Sequence, residues 1–321
     1  MANGQNRLIR ALLDFLAWSA RHGSALLAGG IVLGLLVPPL ARAFGWFITP
    51  NVVALMTMVL LRVDVVALLS HLRRPGRLAA VLAFQLVISP LLMALLLRPF
   101  ALDPGIVAGA IVISTGASSA SGAAFARLVG LDPELTLLVT LGSIVLVPLT
   151  GPPLAYALSG VDLQLGVGTF MLRLALVVGV PMLASIFLRL WAGPRRLHPL
   201  GPAIDGGVVW LVVFYGFAVM DGLLGRMLAE PVWVAQALLI GLLANFGLNV
   251  IATLCFWWMG AKPAASAGMM VGNRNMALYL AVLPASANPQ VRLFLALAQL
   301  PLFFSPFLLR PVYRWLLRRR L

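Results

Sequence analysis

The sequence is short of charge. Only 10% of its 321 residues are Asp, Glu, Lys or Arg, whereas roughly a quarter are charged in a soluble domain, which excludes that class. Acidic residues are the scarcest. The nine are Asp14, Asp64, Asp103, Asp132, Glu134, Asp162, Asp205, Asp221 and Glu230, and all fall near the ends of apolar runs or in loops. No carboxylate is therefore placed at mid-span to hold a cation or relay a proton. Cysteine is almost absent. Cys255 stands alone, so an internal disulfide is excluded and the redox compartment is unread. His22, His71 and His198 lie at span ends or in loops, which excludes a zinc site or a His-based catalytic cluster. With no acid, base or metal cluster at one depth, no enzyme is expected.

What the chain has is apolar length. Hydrophobic residues make up 62%, and apolar runs of about 18 to 25 residues recur from near Gly23 to near Leu309, each long enough to cross a bilayer. The expected fold is all-α, a polytopic membrane protein of about ten transmembrane helices with no soluble domain. The net charge of +14 does not point to nucleic acid, because the basic residues are not interleaved with aromatics as a binding face requires. They follow alternate loops instead. Arg42, Arg98, Arg226 and Arg292 fall on one side and most others on the opposite side, which predicts cytoplasmic termini in a membrane of the bacterial inner type. Residues 1–22 read as an amphipathic interfacial helix with Leu8, Leu12, Phe15 and Leu16 inward, since Asp14 interrupts a signal-peptide core. The basic tail, 313–321, is expected to rest on anionic headgroups of the lipid bilayer.

The chain repeats itself. Val37-Pro38-Pro39-Leu40-Ala41 resembles Val180-Pro181-Met182-Leu183-Ala184, and Gly116 precedes Asp132-Pro133 at the spacing by which Gly272 precedes Asn288-Pro289. Residues 23–159 thus form a first five-helix repeat and 160–312 a second. Five is odd, so the second copy enters from the opposite side, giving the inverted repeat typical of secondary transporters. The fourth span contains Ser114-Thr115-Gly116-Ala117-Ser118-Ser119-Ala120-Ser121-Gly122, and the ninth contains Gly272-Asn273-Arg274-Asn275. Small polar centres of this kind suit unwound backbone lining a protein cavity, so these spans are expected to be broken and to cross. In the repeat, Ser118 and Ser119 take the places of Arg274 and Asn275.

Arg274 lies half-way through its span, where a guanidinium costs about 2.5 to 3.5 kcal/mol or more. Two readings stand beside each other. The side chain is either a structural cation donating to Gln85, Asn275 and free carbonyl groups of the crossing, or a bidentate clamp for a substrate oxyanion. Arg62 and Asp64 read as a local ion pair at a span end. Arg173 reads as an anchor, and Tyr215 and Tyr279 as packing aromatics.

Asp64, Pro75 and Gln85-Leu86-Val87-Ile88-Ser89-Pro90, followed by the small-residue fourth span and by Gly272 to Asn275, carry a resemblance. From about Met56 to Leu309 the chain resembles the bile acid:sodium symporter family. The resemblance implies ten spans, crossed fourth and ninth helices, and a core of spans three to five and eight to ten beside a panel of one, two, six and seven. It also exposes departures. Sodium-coupled members carry Glu-x-Gly-x-Gln-Asn where this chain has Met270 and Arg274, and their Ser-Asn pair falls on Ser121-Gly122. Thr136 and Thr140 match the hydroxyls that follow.

The expected function is secondary transport of a small organic anion by alternating access. Arg274, Asn275, Ser118, Ser119 and Gln85 are the candidate substrate-binding residues. Ser121, Thr136 and Thr140 are the remains of an ion site. No cofactor is expected, and sodium, though possible in the family, is not favoured here. Two alternatives stand: a metalloid oxyanion permease, whose relatives carry a thiol in the fourth span where this chain has none, and a non-transporting receptor on the same fold. The sequence carries no signal of oligomeric state.

Overall fold

Asx-Pro pairs decide where several helices begin. Proline loses nothing at a first helical position, and the preceding Asp or Asn side chain accepts from the free N–H groups behind it. Asp132 Oδ1 accepts from Glu134 N and Leu135 N, both at 3.1 Å. Asn288 Oδ1 does the same for Gln290 N at 2.9 Å and Val291 N at 3.4 Å. The pairs Asp132-Pro133 and Asn288-Pro289, matched to one another in the sequence, are thus the same capping device. Asp103 caps a third such helix through Gly105 N at 2.8 Å.

A computed structural model describes residues 2–62, 75–119, 122–161, 164–284 and 286–318. Among the described residues there is no β-sheet, only one isolated bridge. The helices are α1 (Ala2–Arg21), α2 (Gly23–Leu36), α3 (Pro38–Ala43), α4 (Ile48–Leu61), α5 (Pro75–Leu97), α6 (Pro104–Ser114), α7 (Gly122–Val129) and α8 (Pro133–Ser159). Then come α9 (Val167–Ala192), α10 (Gly201–Val219), α11 (Pro231–Cys255), α12 (Ala261–Gly272), α13 (Met276–Val282), α14 (Pro289–Leu297) and α15 (Gln299–Arg318). Of these, α5, α8, α9, α10 and α11 are each long and apolar enough to cross a bilayer, and shorter apolar helices accompany them. The chain is an all-α, polytopic integral membrane protein.

The two proline matches of the repeat behave differently. Val37 separates α2 from α3 with ψ near 66°, whereas Pro181 lies inside the uninterrupted α9. The pairing of Pro38 with Pro39 does not decide this by itself, because Pro152 and Pro153 lie inside the uninterrupted α8.

Two compact units emerge, and each draws on both sequence halves. Residues 1–65 and 176–229 form the first; residues 66–175 and 230–321 form the second. In the first unit α10 packs against α1, α2 and α4. Glycines 30 and 34 of α2 face Val213 and Phe217, where an added Cβ would press on backbone atoms, so small residues set this helix spacing. The α1 helix does more than lie on a surface. Trp210 Nε1 donates to Ser19 Oγ at 3.0 Å, and Phe15 stacks on Trp210, while Leu12 and Phe15 remain exposed. The side chain of Leu8 lies outside the described residues. Arg62 pairs with Asp205 at 3.0 and 3.3 Å; Asp64, the partner expected from the sequence, lies outside the described residues.

The second unit is built around three short helices. Almost all of α6, Ala264 to Gly272 of α12, and every residue of α13 are buried. They are apolar on all sides because protein surrounds them on all sides. Phe294, Leu295 and Leu297 of α14 and Val139 of α8 pack in the same core.

Candidate functional site

Helix α6 ends at Ser114, with Thr115 still in the helical region, and helix α12 ends at Gly272, beyond which the chain leaves that region. Asn273 and Asn275 have φ −87° with ψ 95° and 83°. The two stretches pair antiparallel, Ser118 opposite Arg274. Ser119 N donates to Asn273 O and Asn275 N donates to Ala117 O, both at 2.8 Å. The two small-polar segments singled out in the sequence are therefore in contact, and they meet through backbone.

A helix that ends inside protein leaves its last carbonyl oxygens without partners unless something supplies donors. At the end of α12 each of them is met. Met269 O accepts from Asn273 N at 3.0 Å, Met270 O from Ser118 Oγ at 3.1 Å, Val271 O from Arg274 Nε at 2.6 Å, and Gly272 O from Asn245 Nδ2 at 3.1 Å. At the end of α6, Val112 O accepts from Thr115 Oγ1 at 2.7 Å and Gly116 O from Arg274 Nη1 at 2.7 Å. The third guanidinium nitrogen, Nη2, donates to Ser89 Oγ at 2.5 Å. Arg274 is 1% exposed, and it is the one charged side chain buried among the described residues. Three charge-assisted bonds, each worth about 1.5 to 3 kcal/mol, are enough to offset the cost of placing that charge there.

The other expected site residues take several positions. Gln85 is fully buried in a π-turn, Phe84–Ile88, and neither of its side-chain polar atoms has a protein partner. Its carbonyl accepts from Ser89 Oγ at 2.7 Å, one bond away from Arg274. A π-turn widens the helix locally, and such turns are frequent at functional sites. Ser118, Ser119 and Asn275 line the paired stretch and are buried. Thr136 and Thr140 turn their hydroxyls to carbonyl oxygens of their own helix, Thr140 Oγ1 to Thr136 O at 2.8 Å. Thr140 also reaches Met270 Sδ at 3.5 Å, and the Met270 terminal methyl fills the space that a side chain at Gly122 would need. Two departures from the family pattern, Gly122 and Met270, thus fit one another. Ser121 lies outside the described residues.

Four polar positions that sequence reasoning passed over prove central. Ser89 holds Arg274, and Ser143 Oγ accepts from Ser118 N at 3.0 Å. Asn245 Nδ2 bonds Asn273 Oδ1 at 3.0 Å as well as Gly272 O, and Ser305 Oγ donates to the same Asn273 Oδ1 at 3.1 Å. Asn245, Asn249 and Thr253 recur at four-residue spacing along an apolar helix, the signal that would have found this face. Tyr279 is more than a packing ring. Its hydroxyl meets Thr115 Oγ1 at 2.7 Å while its ring lies edge-on to Phe170. Arg173 reaches Val282 O at 3.4 Å, the end of α13.

A model of the sodium bile acid symporter family matches residues 49–220. The chain belongs to that family. The match takes in Gln85, the small polar segment between α6 and α7, Thr136 and Thr140, and ends before Arg274. Members of the sodium bile acid symporter family are membrane transporters, and this chain is a membrane transporter of that type. No curated protein matches it.

Proposed function

We propose that this member of the family moves a small organic anion by alternating access and does so without sodium. The reading takes the chain as ten spans in two inverted five-helix repeats, with α6 and α7 as the broken fourth span and α12 and α13 as the broken ninth. The observation that carries it is the charge at the crossing: Arg274 is buried there, and no Asp or Glu is buried among the described residues. A fixed positive charge without a carboxylate favours an anion and repels a free cation. Gln85, with its amide unpartnered, Ser118, Ser119 and Asn275 are the groups proposed to meet the substrate beside it. Thr136 and Thr140, with Ser121, are proposed as the remains of an ion site whose carboxylate has been replaced by a thioether, a soft group that suits hard cations poorly.

The metalloid alternative gains nothing here, since Cys255 is an exposed residue at the end of α11. Uptake of labelled carboxylates into proteoliposomes tests the proposal. Accumulation of at least one carboxylate above protein-free vesicles is expected. Tight binding of a carboxylate with no flux would favour a receptor instead.

A further inference from the structure

Val271 O, Gly116 O and Ser89 Oγ converge on one guanidinium from three different elements. Val271 is the penultimate residue of α12, and Gly116 follows the end of α6 by two residues. Both helices thus direct the negative ends of their dipoles at the same point, an arrangement that favours a cation. The distances, 2.6, 2.7 and 2.5 Å, are those of charge-assisted bonds. Each nitrogen of the planar fork takes one oxygen, so the three acceptors are spread over the width of a guanidinium rather than gathered about a single atom.

We propose that these three oxygens form a guanidinium site whose occupant is the chain's own Arg274, and that shortening this side chain leaves a pocket that free guanidinium refills. The site is a joint. Through it one side chain ties α5, the end of α6 and the end of α12 together at all times, where an exchangeable ion would tie them only when bound. Asn245 and Ser305 hold the other side of the same turn through Asn273, so Arg274 fixes the crossing rather than the whole of α12. The site does not depend on what the protein transports, and its test reads binding instead of flux.

The experiment is thermal unfolding of the full chain, wild type and Arg274→Ala, in detergent with guanidinium chloride at about 10 mM against equal sodium, potassium and choline chloride; a ligand of the folded state raises Tm once its concentration exceeds its Kd. The variant is expected to melt below wild type, and guanidinium is expected to raise its Tm by about 3 °C or more while leaving wild type unmoved. No rise in the variant, an equal rise in wild type, or an equal rise with sodium would overturn the proposal. Where Arg274→Ala yields no folded protein, Arg274→Lys decides. The charge without the fork is expected to melt several degrees lower than wild type, and a lysine variant as stable as wild type would show that three-point bonding is not needed.

Discussion

Gly272→Ala should destabilise the protein strongly, and the neighbouring helix supplies the reason. A Cβ at Gly272 would overlap the Asn245 carbonyl oxygen of α11, and one turn earlier a Cβ at Gly268 would overlap Thr253 Oγ1 and press on Asn249 O. A backbone oxygen cannot rotate away. An ordinary carbon–oxygen contact needs about 3.3 to 3.6 Å, so α12 would have to withdraw from α11 by about 1 Å. That movement stretches the Asn245 bonds to Gly272 O and Asn273 Oδ1, now 3.1 and 3.0 Å, beyond useful range. Overpacking costs about 1 to 3 kcal/mol, and two interhelical hydrogen bonds in a membrane protein add about 0.6 kcal/mol each, giving a loss of about 2 to 4 kcal/mol. At about 2 to 4 °C per kcal/mol, Tm should fall by about 5 to 15 °C. The control is Gly247→Ala in the same helix pair, where nothing stands within 4 Å of the new Cβ; helix propensity alone should leave it as stable as wild type or better. Fluorescence-detected melting of both variants in detergent reads the difference. Equal Tm values for the two would refute the close approach of α11 and α12 as a determinant of the fold.

Arg274→Gln, which restores the residue of sodium-coupled relatives, should lower anion uptake in proteoliposomes by at least about tenfold, because the buried positive charge at the crossing is lost; uptake at the wild-type rate would make the arginine a bystander. Tyr279→Phe removes the hydroxyl bonded to Thr115 and keeps the ring on Phe170, so unfolding should become easier by about 0.6 to 1.7 kcal/mol, the range for such bonds in membranes. Asp205→Asn breaks the Arg62 pair, whose side chains are half exposed; the stability change should stay within about 1 kcal/mol and shrink in high salt.

The parts of the fold legible in the sequence are those written in composition and in backbone chemistry. Apolar length marks the long helices, Asp132-Pro133 and Asn288-Pro289 mark helix starts, and the small polar runs around Gly116 and Gly272 mark where helices break, since each signal acts within a few residues of itself. What the sequence hid are pairings between distant segments. Arg62 finds Asp205, Arg274 finds Ser89 and Gly116, and Asn273 finds Asn245 and Ser305. A serine or asparagine on an apolar helix looks the same whether it lets two helices approach or holds a buried charge, and only the partner across the gap separates the two. The fit of Met270 into the space above Gly122 belongs to the same class, because two departures from a family pattern become one only when the packing is seen.

Movement of the anion without a coupled cation is tested most directly by initial-rate uptake of a transported carboxylate into proteoliposomes, in sodium against choline medium at equal ionic strength. Equal rates are predicted, since a buried guanidinium stands at the crossing and no carboxylate is buried among the described residues. A several-fold rise with sodium that saturates at millimolar concentration would contradict the account and mean that Gln85, the hydroxyls of Thr136 and Thr140, or backbone carbonyl oxygens suffice to hold the ion.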